Sequence, residues 1–120
     1  MANERKTDFF IGRLLDLSKI NYTPNGSSIK EIQEALKSAS KKGTGKAGFP
    51  EFVAKSSDFI IVIENKAMLD KQANFENDEN KTLLMDSKSI KEYAENGALH
   101  YANEIIKKTN FKKIFAFGCS

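Results

Sequence analysis

The sequence is poor in the residues that carry several common chemistries. Cys119 is its single cysteine, so no intramolecular disulfide can form. His100 is its single histidine and has no histidine or cysteine partner at metal-ligand spacing, which speaks against a zinc site. No G-x-x-x-x-G-K-[ST] run is present, so nucleotide hydrolysis on a phosphate-binding loop is unsupported. Asp78-Glu79-Asn80 lacks the ligand spacing of a calcium-binding loop. The longest apolar runs are far too short to span a bilayer and no signal peptide is evident, so a cytoplasmic protein without membrane contact is expected.

What is present suits one soluble domain of 120 residues, 40% hydrophobic and 29% charged, long enough to bury a core. A net charge of +3 permits contact with a polyanion without demanding it.

The chain is organised around Gly48 to Lys66. Phe59-Ile60-Ile61-Val62-Ile63 is a continuous large apolar run and reads as a strand buried on both faces. It leads directly into Glu64-Asn65-Lys66, and charge at the end of a buried strand requires a reason. Glu64 and Lys66 fall on one face of that strand, about 6.6–6.8 Å apart at Cα. Phe49 to Ala54 reads as a partner strand carrying Glu51. A hairpin turn centred between Ser57 and Asp58 sets Glu51 opposite Glu64 on the same face, about 4.5–5.5 Å apart at Cα. A slip of one residue, or a wider loop than this weak Ser-Asp turn signal, would send Glu51 to the other face. Two carboxylates that close require a cation between them, and a lysine or a divalent metal would serve.

The flanking segments fill in an α/β pattern. Residues 3–20 read as a helix with Phe10, Leu14 and Leu17 at helical spacing, Ile11 and Leu15 widening the stripe, and Thr7 or Asp8 as cap. Residues 21–27, with Pro24 and Asn25-Gly26, read as a loop. A second helix over 28–40 carries Ile29, Ile32, Ala35, Leu36 and Ala39, with Ser27 or Ser28 as N-cap near Glu31. Glu34 flanks its apolar stripe and reads either as a solvated partner of Lys37 or as an auxiliary contact for the carboxylate pair.

Residues 41–48 form a flexible basic loop with three glycines, suited to close approach by a phosphodiester or simply to solvent. Residues 67–88 read as a polar loop anchored by Leu83-Leu84-Met85. A long third helix over 89–108, capped by Asp86 or Ser87, aligns Ile90, Tyr93, Ala94, Gly97, Ala98, Tyr101, Ala102 and Ile105, and its mid-helix Gly97 and Ala98 imply tight packing on a sheet. Residues 113–118 read as a final strand. Strand, helix, strand implies a crossover and hence a parallel pair in a mixed sheet. The chain stops at Ser120, where a turn should begin, as expected of a domain excised from a longer protein.

This order of elements, with Pro50-Glu51 at a Pro-acid position and Glu64-Asn65-Lys66 at a Glu-x-Lys position, resembles the PD-(D/E)xK nuclease superfamily. More specifically, GFPEFV, IVIENKA, YAENGALHYA and IFAFG look like the amino-terminal nuclease domain of type IIG-like fused restriction–modification enzymes. That domain is akin to the amino terminus of the type I restriction subunit, and in the fused enzymes an N6-adenine DNA methyltransferase follows it. The resemblance covers residues 28–120 as nuclease core, with residues 1–27 as an N-terminal helix and loop. Glu51 stands where the superfamily pattern more often has Asp.

The resemblance implies a restriction-endonuclease-like α/β fold, a mixed β-sheet flanked by helices, and Mg²⁺-dependent hydrolysis of double-stranded DNA, with Mn²⁺ able to substitute. Glu51, Glu64 and the Asn65 main-chain carbonyl would hold the metal. Lys66 would orient the attacking water and stabilise developing charge. Glu34, His100 and Tyr101 are auxiliary candidates. Methyltransferase and target-recognition domains of the same longer chain would be the partners. Two rival readings stand beside this one. One is a nuclease fold that binds DNA or a subunit without cutting; the other is a cross-strand ion-pair cluster in an unrelated α/β domain.

Overall fold

Phe52–Ser56 (β2) and Phe59–Asn65 (β3) form an antiparallel hairpin in the computed structural model, which describes residues 4–120. Its register pairs Phe52 with Ile63 and Ser56 with Phe59, as a turn centred between Ser57 and Asp58 requires. Ser57 adopts a left-handed conformation, φ 56°, to close that turn. Asn21–Pro24 (β1) adds antiparallel to β2, with Asn21 opposite Lys55 and Pro24 opposite Phe52. This strand lies in the segment expected to be a loop. Four residues ending in proline carry no alternation signal, and proline is tolerated in such an edge strand. Ile114–Cys119 (β4) pairs parallel with β3 from Ile60↔Ile114 to Asn65↔Cys119. The sheet order is therefore β1-β2-β3-β4, a mixed sheet flanked by helices and compatible with a restriction-endonuclease-like fold.

Helix Lys30–Leu36 (α2) is shorter than expected; Ile29 occupies the N-cap position, and its amide donates to Ser27 Oγ at 3.1 Å. The expected third helix is two. Ser87–Glu92 (α3) is capped by Asp86, whose side chain accepts from the Ser89 amide, and Ala94–Lys108 (α4) begins after an extended Tyr93. The break lets the Glu95 amide donate to the Gln72 carbonyl at 2.9 Å, tying the 67–86 loop to the start of α4. Together α3 and α4 make the crossover between β3 and β4.

Alternation along the strands sorts the core into two layers. Val53, Ile60 and Val62 pack with Ile32, Leu36 and Ala39 and with Tyr101 and Ile105 of α4. On the other face Phe52 and Ile63 pack with Leu15 of the first helix, Glu4–Leu17 (α1), and with half-buried Ile11 and Tyr22. Of the expected α1 stripe, Ile11 and Leu15 face the sheet, while Phe10, Leu14 and Leu17 turn away and are 63%, 45% and 70% exposed. Two polar contacts set this rotation. Thr7 Oγ1 donates to the Lys66 carbonyl at 3.2 Å, and Asp8 Oδ1 accepts from Asn65 Nδ2 at 2.8 Å. Thr7 and Asp8 therefore lie inside the helix rather than capping it. Phe59, Phe115 and Phe117 on this face remain partly exposed. No helix among the described residues is long and apolar enough to cross a membrane.

Candidate functional site

Acidic side chains from α1, β3 and the residue before β2 meet at one end of the hairpin. Glu51 immediately precedes β2, where the ladder register continues it opposite Glu64. The Glu51 amide donates to Glu64 Oε1 at 2.8 Å, so the two residues are bonded across the hairpin. Glu64 is only 2% exposed. Its other oxygen pairs with the ammonium of Lys41, which reaches in from the glycine-rich loop. Both carboxylate oxygens are thus satisfied, as burial of a charge demands.

On the far side of Glu51 stand Glu4 and Asp8, one helical turn apart on α1. One carboxylate oxygen from each of Glu4, Asp8 and Glu51 lies within 4.8 Å of the others, and all three residues are half-buried. Burial, then a hydrogen bond with Glu4, then the charges of Asp8, Glu64 and Glu4 push the Glu51 carboxyl up to about 8. Asn65, fully buried, turns its side chain toward Asp8; its Oδ1 has no hydrogen-bond partner among the described residues. Its main chain lies in the β3–β4 ladder opposite Cys119. The set is rich in oxygen donors of the kind that hard divalent cations take.

Tyr101 backs the centre from α4. Its hydroxyl accepts from the Phe49 amide at 3.1 Å, and burial followed by the negative charge of Glu64 pushes it up to about 12. The Lys41 ammonium lies 5.6 Å from the Tyr101 ring centroid. Gly97 leaves room for the end of that lysine, since a Cβ there would stand 3.1 Å from its Nζ.

The remaining expected residues lie apart from the carboxylates. The Lys66 ammonium donates to the Lys91 carbonyl at 3.0 Å rather than to Glu51 or Glu64. Glu34 is exposed on α2 and pairs with Lys37 at 2.9 Å, which holds its carboxyl below the ordinary value. His100 Nε2 lies 2.8 Å from the Ala39 carbonyl, holding α4 to the segment after α2. Sequence reasoning missed Glu4, Asp8 and Lys41. The Glu4/Asp8 spacing of four residues was a usable signal for one helix face; the reach of Lys41 had none.

Two clefts flank the acids. One of about 560 Å³ has Asp8, Arg13, Tyr22 and Glu51 in its walls. Another of about 270 Å³ is lined by Lys41, Lys42, Lys91, Phe49 and Tyr101. The centre is therefore acidic inside and bordered by cationic side chains.

The chain is 38% identical over 123 residues to the type II restriction enzyme and methyltransferase RM.BcgI of Heyndrickxia coagulans. The match covers 98% of this chain and 19% of that protein, so the chain spans about a fifth of the length of its curated relative. No family model and no solved structure matches the chain.

Proposed function

We propose that this chain is a Mg²⁺-dependent DNA endonuclease domain of a restriction–modification enzyme. The observation that carries the reading is the buried Glu64 carboxylate bonded to the Glu51 amide, with Glu4 and Asp8 crowding Glu51 from α1. Resemblance to the PD-(D/E)xK superfamily and similarity to a restriction enzyme and methyltransferase support it. Glu51, Glu64 and the Asn65 carbonyl would hold Mg²⁺, with Glu4 or Asp8 as further donors; Mn²⁺ would substitute. When bound, the metal supplies an acidified water and neutralises charge on a phosphate.

The chain's own groups prepare that chemistry. Glu51, whose carboxyl is raised by burial and by its acidic neighbours, would release its proton on taking up a cation. The Lys66 ammonium would leave the Lys91 carbonyl, where it now donates, to supply positive charge for the transition state. Lys41, Lys42 and Lys91 offer contacts for a phosphate backbone, a sequence-independent attraction that salt weakens. Double-stranded DNA is the proposed substrate. Target recognition and methylation would belong to other domains of a longer cytoplasmic protein.

The test is DNA cleavage in the intact enzyme that this reading implies. Glu64→Ala and Lys66→Ala should each abolish Mg²⁺-dependent cleavage while far-UV circular dichroism stays native. Undiminished cleavage by both variants overturns the reading. One observation favours a silent binding module as the second reading: Lys41 already compensates Glu64, and the Lys66 ammonium is engaged elsewhere. Calorimetry separates the two, because the module predicts neither Mn²⁺ binding nor metal-dependent cleavage.

A further inference from the structure

Lys41 has no role in the Glu-x-Lys pattern, yet it makes the ion pair at the acidic centre. Its side chain is 17% exposed against 2% for Glu64, so the pair is sequestered. A buried carboxylate stripped of its partner is strongly destabilising, so some cation must stand there in the metal-free protein. A divalent ion and an ammonium on one carboxylate oxygen compete for it, because like charges at such separations repel by several kcal/mol even at an effective dielectric of about 20.

The surroundings give the lysine a way out. Residues 42–47 are exposed, and Gly43 and Gly45 take φ of 67° and 76°, so the loop loses little buried surface when it shifts. Its base is held by the Ser40 amide on the Lys46 carbonyl and the Gly43 amide on the Ser40 carbonyl. The Lys41 side chain passes over Tyr101 and beside Gly97, and the cleft it lines also holds Lys42 and Lys91.

We propose that Lys41 is a displaceable internal cation: its ammonium holds the place at Glu64 that a divalent metal takes, and metal binding releases it with the glycine-rich loop into the lysine-lined cleft. The inference rests on the reading of Glu64 as a metal ligand. It adds a coupling, in which metal occupancy sets the position of the loop and places one more cation where a phosphate would lie.

Amine-reactive footprinting read by mass spectrometry tests the release. Adding Mn²⁺ to the wild-type protein at pH 8 should raise Lys41 labelling several-fold while Lys113, paired with Asp58 on the far hairpin turn, stays unchanged. Calorimetry tests the competition. Lys41→Met should bind Mn²⁺ about tenfold more tightly, since no ammonium need be displaced, and the gain should vanish in a Glu64→Gln background. If Lys41→Met fails to fold, wild-type footprinting decides the matter. Mn²⁺ binding with Lys41 labelling unchanged overturns this inference and leaves the nuclease reading standing. Absence of Mn²⁺ binding overturns both.

Discussion

The Glu51 amide donates to Glu64 Oε1 across the hairpin at 2.8 Å, and the Lys41 ammonium holds the other oxygen of the same carboxylate. Glu64 is therefore a structural keystone as well as a proposed ligand, and its variants should separate size from charge. Glu64→Ala takes the acceptor from the Glu51 amide and frees Lys41 to turn toward solvent, and should cost about 1–3 kcal/mol in urea unfolding. Glu64→Gln keeps the volume and an acceptor for the Glu51 amide and should cost less. Equal losses would mean that the amide bond and side-chain volume contribute little.

Glu51 makes metal-free stability fall with rising pH. Its carboxyl stands at about 8 in the folded chain against an ordinary 4.5, so between those values the folded state holds a proton that the unfolded state has lost. Its contribution is fully present below the lower value and is gone above the upper one. Urea midpoints should decline between pH 5 and pH 8.5, and Glu51→Gln should flatten that decline. Under the proposed function, Mn²⁺ uptake by the wild type should strengthen over the same window and release a proton, measurable by calorimetry in buffers of different ionisation enthalpy.

Gly48 is fixed by contact rather than by backbone angle. A Cβ there would stand 2.5 Å from the Ala39 carbonyl oxygen and 2.6 Å from Tyr101 Cε1. Gly48→Ala should therefore displace Tyr101 or the chain before β2 and destabilise by about 1–3 kcal/mol. Gly43→Ala meets no neighbour, and its cost should come from the left-handed backbone alone, about 1–2 kcal/mol. Thermal denaturation of the pair separates the two effects.

Asn96 holds the loop between β3 and α3. Fully buried, it donates to the carbonyls of Asn74 and Leu84 at 2.8 and 2.6 Å and accepts from the Asn74 amide at 2.9 Å. Asn96→Ala takes their partner from the Asn74 amide and the Leu84 carbonyl, while the Asn74 carbonyl keeps the Leu84 amide at 3.0 Å, and should cost about 2–3 kcal/mol. Hydrogen exchange should accelerate through residues 67–86 before it accelerates in β3.

The hairpin was readable because a continuous apolar run follows a second apolar segment across a short polar link; its register rested on a turn centred between Ser57 and Asp58, a weak signal, and the pairing of Phe52 with Ile63 matches that turn. The parallel return to β4 was readable from the order of strand and helix. The rotation of α1 was not. Its strongest apolar stripe, Phe10–Leu14–Leu17, suggested the buried face, whereas Thr7 and Asp8 bond to the end of β3 and turn Ile11 and Leu15 inward. Such polar contacts between residues 57 or 59 apart leave no local trace. Lys41 was hidden for a related reason: a long flexible side chain on a glycine-rich loop can reach many places, and periodicity does not choose among them. The interruption at Tyr93 was concealed because the residues on both sides keep one helical spacing.

The parallel pairing of β3 with β4 also fixes an order of assembly. The acids at positions 4, 8, 51 and 64 all leave the ribosome before the helix and strand that hold them in place. Tyr101 and Gly97 arrive on α4, and the Lys66 amide finds its acceptor only when the Cys119 carbonyl appears. Non-local pairing of this kind is slow to form. A nascent chain thus carries its carboxylates long before it can hold them together, and the centre waits for α4 and β4 to be translated.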